Sequence, residues 1–145
     1  FDDPSGVRLR QWLGVDEASF YDESRIAIIP MGFCFPGLDA HGSDLPPRRE
    51  CRQTWHGALF RHLPQLRVLL LIGGYAQRWH LGTSLAGQGV NDTVRNWRAI
   101  HDAEPGMRRF ALPHPSWRNS GWINRNPWFE SELLPVLRRE VAHWL

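Results

Sequence analysis

The chain has 145 residues, of which 42% are hydrophobic, with two cysteines and a formal net charge of +2. This length suffices for one core and hence one domain, and two cysteines exclude a disulfide framework or a four-thiolate cluster built from this chain alone. No apolar run is as long as a membrane span, and the net charge is too small to indicate a nucleic-acid partner by itself, although all 17 basic residues are arginines, whose planar guanidinium groups suit phosphate.

The first part of the chain predicts a helix, a strand and a long loop. The helix begins near Asp3, whose side chain can cap it, and ends at Gly14. Arg25–Pro30 is a short apolar run with β-branched residues and is typical of a buried strand. Met31–Arg49 follows with three glycines and three prolines, and a loop of this length is expected to be functional. It carries two aromatic residues, Phe33 and Phe35.

The middle of the chain gives the clearest periodic pattern. Arg49–Leu63 is predicted to be a helix because its apolar residues recur at helical spacing. That stripe consists of Cys51, Trp55, Ala58, Leu59, His62 and Leu63. Arg67–Ile72 is predicted to be a second buried strand, and Gly73-Gly74 turns from it into a short helix over Tyr75–Leu81. Such a turn points backbone N–H groups at the strand edge, where an anion can bind.

The last part of the chain alternates in the same way. A glycine-rich loop, Gly82–Asn91, precedes a helix over Asp92–His101, and Met107–Leu112 is predicted to be the third strand. Asn126-Pro127 begins a closing helix that Pro135 should kink or split. The residues expected on its buried face are Phe129, Leu133, Leu137, Val141 and Trp144.

This order of helices and apolar strands predicts an α/β fold. Buried strands separated by helices form a parallel sheet covered on both faces, which is a three-layer α/β/α sandwich. We expect a single domain over residues 1–145. Because the chain begins with Phe1 and opens directly into an acidic turn, we also expect an N-terminal strand to precede it.

One stretch, Leu112–Asn119, concentrates the chemistry. It follows the third strand and therefore lies at the carboxyl edge of the sheet, where open α/β sheets bind their ligands. It offers an imidazole, a hydroxyl, an indole, a guanidinium and an amide, with two prolines that stiffen the backbone. No acidic residue lies between Pro105 and Phe129, whereas four arginines do: Arg108, Arg109, Arg118 and Arg125.

Several separated pieces of the sequence, taken in order, resemble the uracil-DNA glycosylase superfamily, and most closely its branch that includes the iron–sulfur type. The pieces span most of the chain and end in a His-Pro-Ser motif. They are Phe1 to Gly6, Trp12-Leu13-Gly14, Phe20-Tyr21, Ile26 to Cys34, Pro46-Pro47-Arg48, Glu50-Cys51, Leu71-Ile72-Gly73 with Ala76, and His114-Pro115-Ser116. Trp117-Arg118-Asn119 also resembles the continuation of this motif in the single-strand-selective branch.

The resemblance implies a pocket for a base flipped out of DNA. In that pocket His114, as a neutral imidazole, would donate a hydrogen bond to the base O2 as the glycosidic bond breaks. Phe1 would stack on the base, with Phe33 and Phe35 as alternatives and Tyr75 beside them. Each of these residues also has a structural interpretation, as a loop histidine bonded to backbone or as a core aromatic.

Further residues would contact the DNA or the reacting sugar. Ser116, Arg118, Asn119 and Arg48 are the candidates for DNA contact, with Arg118 filling the place of the flipped base. Asp44 is the candidate carboxylate, for the sugar cation or the attacking water, ahead of Asp3 and Asp39. The competing interpretations are a turn-forming Asp44 or Ser116 and a solvated Arg118.

Two departures from the family pattern bear on activity. The glycine–proline motif that places the catalytic water is expected before Phe1, and Pro30-Met31 stands where the family has an asparagine that reads uracil. We therefore predict a DNA glycosylase acting on a damaged or deaminated base, with a non-catalytic nucleic-acid-binding module as the alternative. An unrelated α/β hydrolase acting on a small nucleoside or anion is a third hypothesis. We expect DNA as the partner, no metal or cofactor, no membrane, no obligate protein partner, a monomer and a cytoplasmic location.

Overall fold

The computed structural model describes residues 4–145, which divide into two compact units. The first contains the residues up to Ala27 together with Arg67–Leu145, and the second contains Ile28–Leu66. The prediction of a single domain over residues 1–145 stays a prediction. Among the helices of residues 4–145, none is both long and apolar enough to cross a membrane.

Short helices dominate the described residues, with two strands between them. In chain order the elements are α1 (Pro4–Leu13), α2 (Glu17–Phe20), α3 (Arg49–Arg61), β1 (Val68–Ile72), α4 (Gly73–Leu85), α5 (Val90–Arg95), α6 (Trp97–Asp102), β2 (Arg108–Leu112), a 3₁₀ turn (Trp117–Asn119), α7 (Ser120–Arg125), a π-helical segment (Phe129–Leu133) and α8 (Leu134–Trp144). All but α3 belong to the first unit.

The two strands pair in parallel, which confirms the α/β class. Val68 lies opposite Arg108 and Ile72 lies opposite Leu112, so both strands end at the same edge. Parallel neighbours need a crossover connection, and α4, α5 and α6 supply it between β1 and β2. Helices α4, α5, α6 and α8 contact the strands. The side chains of the last three residues of β2 are fully buried under them.

The core of the first unit joins this sheet to the two ends of the chain. Trp12 on α1 packs edge-to-face on Phe129, with ring centroids 5.0 Å apart, and both side chains are buried. The closing helix changes from a π-helical segment to α8 just before Pro135, and Leu133 and Leu134 keep helical dihedral angles, so the predicted kink or split at Pro135 is present only as this change of helix type. Proline is tolerated in the first turn of α8, since first-turn N–H groups have no partner within the helix.

The strand predicted over Arg25–Pro30 is wrong. Within residues 4–145 these residues have no ladder partner, and Ile28 is 52% exposed. An apolar run becomes a strand only where a neighbouring strand pairs its backbone groups, and composition alone does not reveal that neighbour.

Three helix predictions also need correction. The single helix predicted over Asp92–His101 is divided into α5 and α6 at Asn96. Helix α4 extends past Leu81 to Leu85, across a kink at Gly82 whose φ of 65° favours glycine. Trp144 is 50% exposed instead of buried, and the guanidinium of Arg67 lies 5.6 Å from its ring centroid.

The second unit consists of α3 and an ordered turn within the predicted long loop. Leu38 and Asp44 form an antiparallel bridge, and the Asp39 carboxylate accepts hydrogen bonds from the backbone N–H groups of His41 and Ser43 at 2.8 and 2.9 Å. The side chain of Asp39 therefore builds this turn.

The predicted apolar stripe of α3 is only partly buried. Four of its residues are half-buried, namely Cys51, Ala58, Leu59 and Leu63, whereas His62 is exposed and Trp55 is 56% exposed. The fully buried residue of α3 is His56, which lies outside the predicted stripe and whose Nε2 donates to the carbonyl of Pro30 at 2.9 Å.

Acid should weaken the start of α2. Asp16 caps this helix by accepting a hydrogen bond from the Ser19 N–H at 2.8 Å, and this bond lowers the pKa of Asp16 below its ordinary value. Because the folded-state pKa is the lower one, the cap stabilises the fold above the unfolded pKa and is lost as the pH falls below about 4. We expect D16N, which caps without titrating, to lose less stability than wild type between about pH 7 and pH 3 in thermal melts. If D16N and the wild type lost the same stability over this pH range, the stabilising role of the ionised Asp16 cap would be contradicted.

Candidate functional site at the carboxyl edge of the sheet

The candidate site lies where β1 and β2 end. Gly73 follows Ile72 with a φ of 79°, a left-handed conformation that favours glycine, and begins α4 directly at the sheet edge. Pro113 and His114 follow Leu112. Because Ile72 and Leu112 are register partners, the glycine turn and His114 lie at one edge, as the sequence predicted.

Hydrogen bonds within the segment His114–Ser120, here called the His114 loop, fix the imidazole. The Ser116 N–H donates to His114 Nδ1 at 3.2 Å, and the Asn119 side-chain amide donates to the His114 carbonyl at 2.7 Å. The prolines on either side of His114 are buried while His114 itself is exposed. With Nδ1 as acceptor, the neutral ring carries its proton on Nε2, and this N–H has no hydrogen-bond partner among residues 4–145.

The next turn of this loop projects two side chains into solvent. Trp117 is 73% exposed, and the guanidinium of Arg118 lies 6.0 Å from its ring centroid. Across the edge, Tyr75 is 42% exposed and lies 5.2 Å from the guanidinium of Arg78. Trp117 and Arg118 follow His114 in the same loop, and Tyr75 and Arg78 lie on α4, which begins at the end of β1.

The four arginines near the loop divide into two pairs. At the start of β2, Arg109 forms an ion pair with Glu104, and Arg108 lies 3.9 Å from Asp102. Arg118 and Arg125 form no ion pair with any carboxylate of residues 4–145. Uncompensated positive charge therefore lies on the loop side, where an anionic ligand would approach.

Two residues that sequence reasoning missed support this edge. Gln77 is buried, and its Nε2 donates to the carbonyls of Leu71 and Leu112 at 3.3 and 2.8 Å, which links the ends of both strands. Arg8 donates to the Ser116 carbonyl and the Ser120 hydroxyl of the His114 loop at 3.0 and 3.1 Å. The sequence held one signal for each residue. Arg8 lies four positions before the buried Trp12 and Gln77 lies four positions before the buried Leu81, so each shares a helix face with a buried residue.

The remaining candidates belong to the second unit or lie outside the described residues. Phe33, Phe35, Asp44 and Arg48 belong to the second unit, where all four are exposed. Within residues 4–145 the Asp44 carboxylate accepts no hydrogen bond, in contrast to that of Asp39. Phe1 lies outside the described residues. The roles predicted for these residues stay predictions.

Gln77 gives a direct test of how the edge is held. We expect Q77A to lower the free energy of unfolding by about 3 kcal/mol, because two carbonyls lose their donor and a cavity forms. Q77M keeps most of the volume but donates nothing, so its loss should be about 2 kcal/mol. The exposed Gln88 provides the control, since Q88A should stay within about 0.5 kcal/mol of wild type. Chemical denaturation measures all four proteins, and wild-type stability of Q77A would show that this amide does not link the strands.

The parallel strands and the glycine turn between β1 and α4 define a protein of the α/β class. The sequence matches the family model of the uracil DNA glycosylase superfamily over residues 1–138. The match covers most of the chain, and the protein belongs to this superfamily, whose members are generally DNA glycosylases.

The iron–sulfur cluster found in one branch of the family does not fit these residues. Such a cluster needs four thiolates, whereas this chain has only Cys34 and Cys51, both free. Within residues 4–145, no three His, Cys, Asp or Glu side chains converge to hold a metal ion.

Proposed function

We propose that this chain is a DNA glycosylase domain that hydrolyses the N-glycosidic bond of a damaged or deaminated base, uracil or a relative of it. The observation that carries the proposal is the His114 imidazole, which is exposed just after the end of β2 and whose Nδ1 accepts a hydrogen bond from the Ser116 N–H. We also propose that the parallel pair of strands lies at the centre of the three-layer α/β/α sandwich predicted from the sequence.

His114 would act on the leaving base. When the bond between the sugar and a pyrimidine base breaks, its electron pair moves into the base and concentrates on O2, while positive charge develops on the sugar. A fixed N–H donor close to O2 stabilises that charge by about 3–4 kcal/mol. The Ser116 and Asn119 bonds hold the imidazole in place before the reaction, so little reorganisation is needed.

The exposed turn after His114 would hold the DNA. Arg118 would enter the stack in place of the flipped base, and Ser116 would donate to a flanking phosphate, with Asn119 steadying the backbone between them. The uncompensated charge of Arg118 and Arg125 supports this role, since phosphates supply most of the affinity for DNA. Arg48 is proposed as a further phosphate contact.

Aromatic side chains and a carboxylate are also proposed to act on the base and the sugar. Tyr75, Phe33, Phe35 and Phe1 are the candidates to stack on the base, each contact contributing about 1–3 kcal/mol. Asp44 is proposed to stabilise the sugar cation or to orient the attacking water. Its carboxylate is not used in the turn, unlike that of Asp39, and this supports the choice between the two.

Base release from oligonucleotides tests the proposal. Single- and double-stranded oligonucleotides carrying one uracil, hypoxanthine or xanthine are incubated with the protein. The free base is detected by mass spectrometry and the abasic site by alkaline cleavage. We expect release of the base from at least one substrate. If no base is released from any substrate, the proposed glycosylase activity is wrong.

The same experiment separates the two alternatives. A non-catalytic binding module, for which Pro30-Met31 in place of the asparagine argues, would bind these oligonucleotides with a steep salt dependence and release no base. Turnover of free nucleosides without oligonucleotide binding would instead indicate an unrelated hydrolase.

A further inference from the structure

Arg8 connects a helix of the core to the His114 loop from 108 residues away in sequence. Its two terminal nitrogens donate to the Ser116 carbonyl at 3.0 Å and to the Ser120 hydroxyl at 3.1 Å. These acceptors bracket the 3₁₀ turn Trp117–Asn119, so both ends of the projecting turn are bound to one guanidinium.

The helix that carries Arg8 is a firm anchor. Trp12, one turn later on α1, is buried and packs edge-to-face on Phe129, and α1 also contacts α8. Within the loop, the Asn119 N–H donates to the Ser116 carbonyl at 3.1 Å and the Asn119 side-chain amide donates to the His114 carbonyl at 2.7 Å, although 3₁₀ runs have poor hydrogen-bond geometry. Arg8 adds two further bonds from a different helix, one at each end of the turn.

No carboxylate of residues 4–145 neutralises the charge of Arg8. Arg10 on the same helix, in contrast, lies 3.2 Å from Glu17. A guanidinium that donates to neutral acceptors makes charge-assisted bonds, and its planar fork spans two acceptors in a way that the single ammonium of lysine cannot.

We propose that Arg8 is a positioning residue for the reaction: by fixing Ser116 and Ser120 it holds the His114 loop in the conformation in which the Ser116 N–H orients the imidazole. This inference rests on the proposed glycosylase function. Because Arg8 acts through the loop, its loss should reduce the chemical step more than DNA binding, as small displacements of a catalytic group lower rates by up to about 100-fold.

Hydrogen exchange and single-turnover kinetics on R8A, R8K and R10A together test the positioning role of Arg8. Exchange is followed by mass spectrometry at the amides of residues 114 and 116–120, since Pro113 and Pro115 have none. We expect exchange there to be about tenfold faster in R8A, intermediate in R8K and unchanged in R10A. On a substrate that the wild type cleaves, R8A should lose about 10- to 100-fold in the single-turnover rate, with R8K partly restored and DNA affinity changed much less.

Each result decides the proposal. Equal exchange in R8A and R10A would overturn it, and so would full restoration of the rate by R8K or faster exchange with an unchanged rate. If the wild type releases no base from any substrate, the proposed function fails, and the exchange comparison alone decides whether Arg8 fixes the loop.

Discussion

Replacing His114 with alanine should lower the rate of base release by about 10²–10³-fold, because the transition state loses its only proposed side-chain donor at the base O2. DNA affinity should change little, since Arg118 and the other proposed phosphate contacts remain. H114Q retains an amide N–H and should recover part of the rate. Single-turnover release of the free base and titration of a labelled oligonucleotide measure the two effects separately.

The matched control for this variant is H62A. His62 is an exposed histidine at the end of α3, outside the proposed site, and its replacement should leave both measurements unchanged. Equal loss of affinity and of rate in H114A would show that the imidazole only binds DNA. An unchanged rate would show that His114 takes no part in the release of the base.

Replacing Phe110 with alanine should lower the free energy of unfolding by about 3–5 kcal/mol, the cost of deleting a fully buried aromatic side chain and leaving a cavity. Phe110 is 0% exposed at the centre of β2, opposite Leu70 of β1, and its ring lies 5.1 Å from that of His101. Chemical denaturation followed by tryptophan fluorescence and circular dichroism measures the change.

A half-exposed aromatic residue of the same unit provides the comparison. W144A removes a larger ring that is 50% exposed, and we expect a loss of about 1 kcal/mol or less, mainly its contact with the Arg67 guanidinium. Equal losses in F110A and W144A would contradict the assignment of β2 to the centre of the core.

The sequence predicts the two paired strands well but misassigns a third. VLLLI is an apolar run followed by a glycine, RRFAL ends in three apolar residues followed by a proline, and both are strands in the structure. RIAIIP is also mostly apolar and is not a strand within the described residues, because pairing depends on a neighbouring strand that composition does not reveal. The exposure of Trp144 at the end of α8 has a similar origin, since a periodic stripe does not show where its helix leaves the core.

The candidate site could also be predicted from the sequence only in part. Its place at the sheet edge follows from His114 coming directly after an apolar run, which the chain order reveals. The tautomer of the ring does not follow, because it depends on the Ser116 N–H turning back onto Nδ1. Arg8 and Gln77 were detectable only as polar residues on buried helix faces, and nothing local indicates that their partners lie at positions 116, 120 and 112.

The most direct test of the central claim, that the loop presents a fixed Nε2–H donor, is the tautomer of His114 in solution. Long-range proton–nitrogen correlation spectra of the ¹⁵N-labelled protein near neutral pH distinguish the two ring nitrogens, and H114A identifies the signals. We expect the neutral ring to carry its proton on Nε2, with an unprotonated Nδ1. A proton on Nδ1 would contradict the claim, because that nitrogen could no longer accept from Ser116 and Nε2 would have nothing to donate to the base.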